Sequence, residues 1–124
     1  MQYNGVLTIK PKHYKTTRST DLGKMDPYLK IYLGDKILKT KVYDGAGQEC
    51  EFDDQFDEMI TDLNDFRVVV KDKDLMSSDY VCNGNVPLQD VVQNGSATEK
   101  VKLYYEGEHC GDVTFFLKFD LTME

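Results

Sequence analysis

The 124-residue chain carries 15 basic and 22 acidic side chains, which gives a formal net charge of −7 at neutral pH. A charge of this sign argues against nucleic acid as a partner and against constitutive attraction to an anionic membrane. The length fits a single domain, residues 1–124, whose core needs no disulfide or metal to hold it together.

Short segments of alternating apolar and polar residues, separated by turn residues, predict an all-β fold. The expected strands cover residues 6–10, 28–33, 37–43, a mixed segment at 52–60, then 66–71, 80–86, 99–105 and 113–121. One helical turn is expected over 87–92, closed by Asn94-Gly95. Seven or eight short strands of this kind predict an antiparallel β-sandwich.

The three cysteines, Cys50, Cys82 and Cys110, show no disulfide-framework or zinc-like spacing. We therefore expect reduced thiols that serve as buried apolar side chains, and a cytoplasmic location. No segment contains the roughly 20 apolar residues of a membrane span, so any membrane contact is expected to be peripheral.

Aspartates cluster in two short runs that lie far apart in the chain: Asp21 and Asp26 in the first, and Asp72, Asp74 and Asp79 in the second. Each run adjoins a predicted strand, so a β-fold that joins the two turns builds an all-oxygen, negative pocket. Calcium takes roughly 6–8 oxygen ligands and tolerates irregular geometry, whereas clustered carboxylates without a counter-ion repel one another. The runs predict a Ca²⁺ site. The alternative explanation for each aspartate is that it binds no metal and occurs there only because Asp favours turns and solvated loops.

Motifs in the same order along the chain resemble those of a C2 domain. They are Leu-Gly-Lys-Met-Asp-Pro-Tyr-Leu-Lys-Ile at 22–31, Lys-Thr-Lys-Val at 39–42, Val-Lys-Asp-Lys-Asp at 70–74, Asp-Tyr-Val at 79–81 and Val-Pro-Leu at 86–88. The likeness is to small stand-alone C2 proteins of plants and protists. It implies an eight-stranded antiparallel sandwich whose loops at one end hold calcium and meet phospholipid. Since one predicted strand precedes the Asp-Pro-Tyr segment, it also implies the permuted type II topology.

The same resemblance implies five calcium ligands: Asp21, Asp26, Asp72, Asp74 and Asp79. Asp26 matches the loop-one ligand, Asp72 and Asp74 match the paired ligands of loop three, and Asp79 matches its last carboxylate. The family's first aspartate falls at Thr20, one residue before Asp21. The third loop is also one residue shorter than usual between Asp74 and Asp79. The number of bound ions is left open.

Large apolar side chains stand beside these aspartates, and they predict contact with an anionic phospholipid membrane. Leu22 follows Asp21, and Leu75 and Met76 follow Asp74. Burial of one such side chain among acyl chains contributes roughly 1.5–3 kcal/mol, and calcium would add bridges from loop carboxylates to lipid phosphates. Alternatively, Leu75 and Met76 fold inward as a small satellite cluster.

A second lipid contact is expected on two predicted strands. Tyr28 and Lys30 share one strand face, as do Lys39 and Lys41 on the next strand, and the four form a patch suited to a phosphoinositide head group. The alternative is that these lysines only keep an exposed strand soluble.

Catalysis is not expected, because the chain lacks a Gly-x-Ser-x-Gly elbow, a phosphate-binding glycine loop and a metal-ligating histidine motif. The predicted function is a signalling adaptor that binds anionic membranes when calcium is present, with a protein partner also possible. The alternative is a calcium-independent C2 domain that docks proteins.

Overall fold

The computed structural model describes residues 3–20, 23–74 and 78–122, and these fold into strands with one short helix. The strands are β1 (Asn4–Thr16), β2 (Pro27–Leu33), β3 (Lys36–Lys39), β4 (Glu49–Glu51), β5 (Phe56–Thr61), β6 (Asp65–Lys73), β7 (Ser78–Pro87), β8 (Ser96–Tyr105) and β9 (Glu108–Leu121), and the helix is α1 (Gln89–Asn94).

The strands form two antiparallel layers that enclose one apolar core. One layer has the order β3-β2-β6-β7, and the other has β8-β9-β1 with β4 and β5 both on the outer edge of β1. The layers meet at the edges of β7 and β8, which share a single backbone pairing, Asn83 with Tyr104. The predicted β-sandwich is therefore confirmed.

Alternating side chains build the core from both layers. In β2 the residues Leu29, Ile31 and Leu33 point inward and are buried, as the sequence pattern predicts. Phe66 of β6 meets Phe115 of β9 edge-to-face, with ring centroids 5.3 Å apart. Aromatic pairs favour this geometry, so the contact locks the two layers together at their centre.

The structure differs from the predicted strands in several places, and β8 and β9 begin at Ser96 and Glu108 rather than at 99 and 113. β1 continues to Thr16, because β9 pairs with one edge of it and β4 and β5 with the other. The expected strand at 52–60 begins only at Phe56, as β5, and the short strand β4 that precedes it was not predicted. The expected strand at 37–43 ends at Lys39, where Thr40 turns inward and its hydroxyl accepts a hydrogen bond from Leu29 N at 2.9 Å.

Helix α1 ends as the Asn-Gly pair predicts. Gly95 adopts a left-handed conformation (φ 86°), and its N–H donates to Val91 O at 2.8 Å. Glycine reaches this conformation without strain, so it closes the helix and starts β8. Among the described residues, no helix is long and apolar enough to cross a membrane.

Three strand ends lie side by side at one end of the sandwich. Pro27 at the start of β2 pairs with Asp72 near the end of β6, and Asp72 pairs with Asp79 near the start of β7. The hydrogen-bonding register therefore joins the two acidic runs, as expected for a β-fold that brings the turns together.

The close approach of β7 to β8 generates a test of the fold. A Cβ atom added to Gly84 would lie 2.6 Å from Lys102 O and 3.1 Å from Val101 Cγ1. Because backbone cannot move aside cheaply, we expect Gly84→Ala to lower the free energy of unfolding by about 1–3 kcal/mol in urea denaturation. The control is Gly23→Ala, where a Cβ meets nothing within 4 Å. Equal midpoints for the two variants would contradict the close packing.

Candidate metal centre and basic face

Three carboxylates converge where β6 and β7 meet. One carboxylate oxygen from each of Asp72, Asp74 and Asp79 lies within 4.8 Å of the other two. Strand pairing sets Asp79 opposite Asp72, and Asp74 follows two residues later. Asp72 points into the sandwich and is fully buried, whereas Asp74 and Asp79 are half-buried.

The buried Asp72 carboxylate is satisfied by two hydrogen bonds from the segment before β2. Thr20 Oγ1 donates to Asp72 Oδ2 at 2.8 Å, and the backbone N–H of Asp26 donates to Asp72 Oδ1 at 2.8 Å. A buried charge is costly without such partners. The carboxylate thus holds Thr20 and Asp26 against β6.

Asp26 lies beside this cluster, but its side chain faces a neighbouring loop. Its Oδ1 accepts a hydrogen bond from Gly45 N at 2.7 Å. Gly47 N donates to Met25 O at 2.9 Å, and Tyr43 N donates to Pro27 O at 2.9 Å. Gly45 and Gly47 both have positive φ, 70° and 76°. The two glycines let the backbone wrap around Asp26.

A polar network anchors that wrapping loop in turn. The Tyr43 hydroxyl donates to the carboxylates of Asp53 and Asp54, and Lys41 N donates to Asp54 Oδ2 at 2.8 Å. Burial and these carboxylates hold the pKa of Tyr43 above its ordinary value, so its hydroxyl remains a donor at neutral pH. The loop is therefore held from both sides.

Arg18 ties the strand that carries Asp79 to the end of β1. Its guanidinium lies 3.5 Å from the centroid of the Tyr105 ring, and its Nε donates to Val81 O at 2.8 Å. A planar cation that stacks on an aromatic ring and also donates a hydrogen bond to a carbonyl stabilises the contact between the two strands. It acts where β7 departs from regular pairing, between Tyr80 and Cys82.

The donor set fits calcium. Calcium–oxygen bonds are roughly 2.3–2.6 Å long, so two oxygens on opposite sides of one ion lie about 5 Å apart. The 4.8 Å limit among Asp72, Asp74 and Asp79 meets that requirement. Carboxylate and hydroxyl oxygens are the hard ligands that this ion prefers, and the Thr20 hydroxyl adds one beside Asp72.

Four residues of the predicted sites lie outside the described residues: Asp21, Leu22, Leu75 and Met76. Their roles in calcium binding and membrane insertion stay predictions.

The predicted lysine patch is present in part. Lys30 of β2 stands directly opposite Lys39 of β3 in the register. Lys41 lies beyond the end of β3, and its Nζ forms an ion pair with Asp53 Oδ1 at 2.7 Å. Tyr28 is only 9% exposed, so it offers little surface to a ligand. The two lysines in register form the centre of the patch, where Lys39 is exposed and Lys30 is half-buried.

Two cations that the sequence interpretation missed extend this surface on β6. Arg67 pairs with Tyr32 and Lys71 pairs with Tyr28, so both lie on the face that carries Lys30. Arg67 lies 5.7 Å and Lys30 Nζ 5.5 Å from the centroid of the Tyr32 ring. We call Lys30, Lys39, Arg67 and Lys71 the basic face. Arg67 and Lys71 flank three consecutive valines in the sequence, but the register that places them beside β2 is not visible there.

The model of the C2 domain family matches residues 5–103, most of the chain. The chain belongs to the C2 domain family. No curated protein matches the sequence.

Solved C2 structures share the fold at low identity. A C2 domain-containing protein is 23% identical, with 98% of this chain and 92% of that chain covered and a TM-score of 0.83. A single C2 domain of plant extended synaptotagmin 1 is 20% identical, with 97% of each chain covered and a TM-score of 0.85. A calcium-bound structure of two C2 domains of extended-synaptotagmin 2 is 18% identical, with 93% of this chain and 45% of that chain covered and a TM-score of 0.76.

Thr20 distinguishes this C2 domain from the pattern that its sequence resembles. The hydroxyl stands six residues before Asp26, where that pattern has an aspartate, and it is bonded to Asp72. A neutral donor here replaces a fourth negative charge next to three carboxylates. The metal-free pocket is therefore less strained by repulsion than a pocket with an aspartate at this position.

The hydrogen bond from Thr20 predicts a stability effect without metal. Thr20→Val keeps the shape of the side chain but leaves a buried carboxylate short of a donor, and we expect the free energy of unfolding to fall by about 1–2 kcal/mol. Urea denaturation in the presence of a chelator measures it. Thr98→Val, at an exposed position of β8, is the control and should change little. Equal urea midpoints for Thr20→Val and Thr98→Val would mean that the hydrogen bond from Thr20 to Asp72 contributes nothing to stability.

Proposed function

We propose that this C2 domain binds anionic phospholipid membranes peripherally in response to calcium and has no catalytic role. The observation that supports this is the convergence of Asp72, Asp74 and Asp79 within 4.8 Å around a fully buried carboxylate. Three like charges at that separation repel one another unless a cation joins them. In the proposal, Asp26, which lies beside the cluster, is the fourth calcium ligand, and Asp21 is the fifth.

The Thr20 hydroxyl is suited to both states of the pocket. Without metal it donates its hydrogen to Asp72 Oδ2. A hydroxyl rotates freely and also carries two lone pairs, so Thr20 can turn its hydrogen away and present oxygen to a cation. The pocket thus gains a ligand without a movement of the backbone.

The proposed switch is electrostatic and local. With its carboxylates ionised, the cluster repels an anionic leaflet, in keeping with the overall charge of −7. Bound calcium would add two positive charges per ion and offer open positions to lipid phosphates. We propose that Leu22, Leu75 and Met76 then enter the leaflet, each contributing roughly 1.5–3 kcal/mol.

The basic face supplies a second lipid contact in the proposal. Lys30 and Lys39 lie opposite each other, and Arg67 and Lys71 continue the positive surface on the next strand. Basic residues near an anionic surface contribute about 1 kcal/mol each, and the arginine fork matches a phosphate in two contacts. In β6 the acid on the same face is Asp65, at the end away from the carboxylate cluster. A multiply phosphorylated inositol head group therefore fits this surface.

Sedimentation with phosphatidylserine vesicles tests the switch. We expect the wild-type chain to pellet with vesicles in calcium and to stay in solution in chelator. The variant Asp72→Asn/Asp74→Asn should stay in solution in both conditions, because its pocket loses two charged ligands. The matched control is Asp35→Asn/Asp65→Asn, which changes the net charge equally at the opposite end of the same layer and should behave as wild type.

Calcium titration of the melting temperature separates the parts of the proposal. A calcium-dependent rise in wild type without vesicle binding would keep the metal site and remove the membrane role. If calcium neither raises the melting temperature nor causes pelleting with vesicles, the switch is overturned and calcium-independent protein docking is favoured.

Vesicles that contain phosphatidylinositol bisphosphate test the basic face. Removal of two charges in Lys30→Ala/Lys39→Ala should weaken binding roughly tenfold to thirtyfold, at about 1 kcal/mol for each lysine. The control Lys100→Ala/Lys102→Ala removes two exposed lysines from β8, in the other layer, and should bind almost as wild type does. An equal loss in both variants would show that only net charge matters.

A further inference from the structure

Three asparagines in the chain are each followed directly by glycine: Asn4, Asn83 and Asn94. Such an asparagine is chemically labile, because the next backbone nitrogen can attack its side-chain amide and glycine has no Cβ to hinder the approach. The attack requires a backbone N–H that is free of its hydrogen bond and a side chain that can turn toward it. The fold treats the three Asn-Gly pairs differently in both respects.

The first pair is held in β1 between two neighbouring strands. Gly5 is buried and pairs with Ile60 on one side and with Leu121 on the other. The Thr61 hydroxyl donates to Asn4 Oδ1, which fixes the side chain of the asparagine. The backbone nitrogen and the amide are therefore both restrained.

The second pair lies in the middle of β7. Gly84 pairs with Val68 and is buried against β8. The side-chain amide of Asn83 donates to the Tyr80 hydroxyl, and also to Tyr104 O at 3.3 Å. Here too, the asparagine is held by its own hydrogen bonds inside a paired strand.

The third pair lies at the end of α1. Asn94 is the last residue of the helix, it is exposed, and its side chain makes no hydrogen bond within the part of the chain that the structure describes. The N–H of Gly95 is held by the bond to Val91 O at 2.8 Å that closes the final turn. Helix ends open at a much lower free energy than central strands, so this N–H becomes free most often.

Helix α1 has little to resist such opening. It has six residues, and Leu88 at its N-cap makes no side-chain capping bond. A helix this short is not stable by itself and depends on packing. Its buried residue is Val91, so its contact with the core ends about one turn before Asn94.

We propose that Asn94 deamidates in the folded protein, ahead of the other two asparagines. Hydroxide removes the amide proton of Gly95, and the nitrogen attacks Asn94 Cγ. The new N–Cγ bond forms, the Cγ–Nδ2 bond breaks, and ammonia leaves with a proton from water, which regenerates hydroxide. Water then opens the cyclic imide at either carbonyl and gives an aspartate or an isoaspartate at position 94. In sum, one amide and one water yield one carboxylic acid and one ammonia.

Either product loosens the end of α1. A carboxylate at position 94 lies at the negative end of the helix dipole and one helical turn after Asp90, which repels it. The isoaspartate also adds a carbon to the main chain and so displaces Gly95 from Val91 O. Because Phe119 N donates to Gly95 O at 2.8 Å, the same displacement disturbs the start of the pairing between β8 and β9.

Peptide mapping by mass spectrometry tests the site. The whole folded chain is incubated at mildly alkaline pH in chelator, and the three Asn-Gly peptides are followed over time. We expect the peptide that contains Asn94 to deamidate roughly tenfold faster than the other two, because a helix end opens more easily than a paired strand. In denaturing urea, where no pairing remains, the three rates should converge.

Two variants separate the site from its effect on the helix. Asn94→Gln keeps an amide but requires a larger ring, so modification at position 94 should nearly cease. Asn94→Asp carries the charge of the product and should lower the melting temperature by roughly 1–4 °C. The control Asn85→Asp adds the same charge at an exposed position opposite Arg67 and should not lower it.

Three results would overturn the proposal. One is earlier modification of Asn4 or Asn83 in the folded chain. Another is an Asn94 that stays intact over a period in which the urea-treated chain is converted. The third is an equal fall in melting temperature for Asn94→Asp and Asn85→Asp, which would remove the effect on α1. Because no measurement uses calcium or lipid, the outcome is independent of the proposed membrane function.

Discussion

The burial of one carboxylate, Asp72, organises the end of the sandwich where the acidic runs meet. Its place on the inner face of β6 withdraws it from water, and a buried charge must find donors or a cation. The donors come from Thr20 and from the backbone of Asp26, so both residues are held against β6. The loop at 43–47 then closes over Asp26, and the Tyr43 network closes over that loop.

Charge is distributed unevenly over a molecule that is acidic overall. Carboxylates gather at one end of the layer that contains β2, β6 and β7, while cations line its outer face. The two surfaces are adjacent because Asp72 and Lys71 are neighbours on β6 and their side chains point to opposite faces. A single strand therefore places the carboxylate cluster and the basic face side by side. The net charge alone describes neither.

The period of two in the apolar residues was sufficient to predict the sandwich, because inward residues such as Leu29, Ile31 and Leu33 follow directly from alternation. It was also sufficient to place Asp72, Asp74 and Asp79 at strand ends. Pairing partners were not predictable in the same way, since register depends on contacts between residues far apart in the chain. That is why Arg67 was missed as a member of the basic face.

Other features depended on local geometry that no pattern shows. The role of Thr20 follows from its contact with Asp72. The first strand is expected to cover only residues 6–10, yet pairing on both sides keeps β1 extended to Thr16. Lys41 was expected to be free for lipid, but Asp53, which is close only in the folded chain, holds it.

The position of β1 has a consequence for how the chain folds. Its pairing with β9 joins Gly5 to Leu121, and its pairing with β5 joins Gly5 to Ile60. Contacts so distant in sequence require large loops to close before they contribute, and all-β domains of this kind fold in milliseconds to seconds. The β5 side of β1 closes the shorter loop. Until β9 docks, the other side presents unpaired backbone, which makes this interval the period when the chain is most exposed to aggregation.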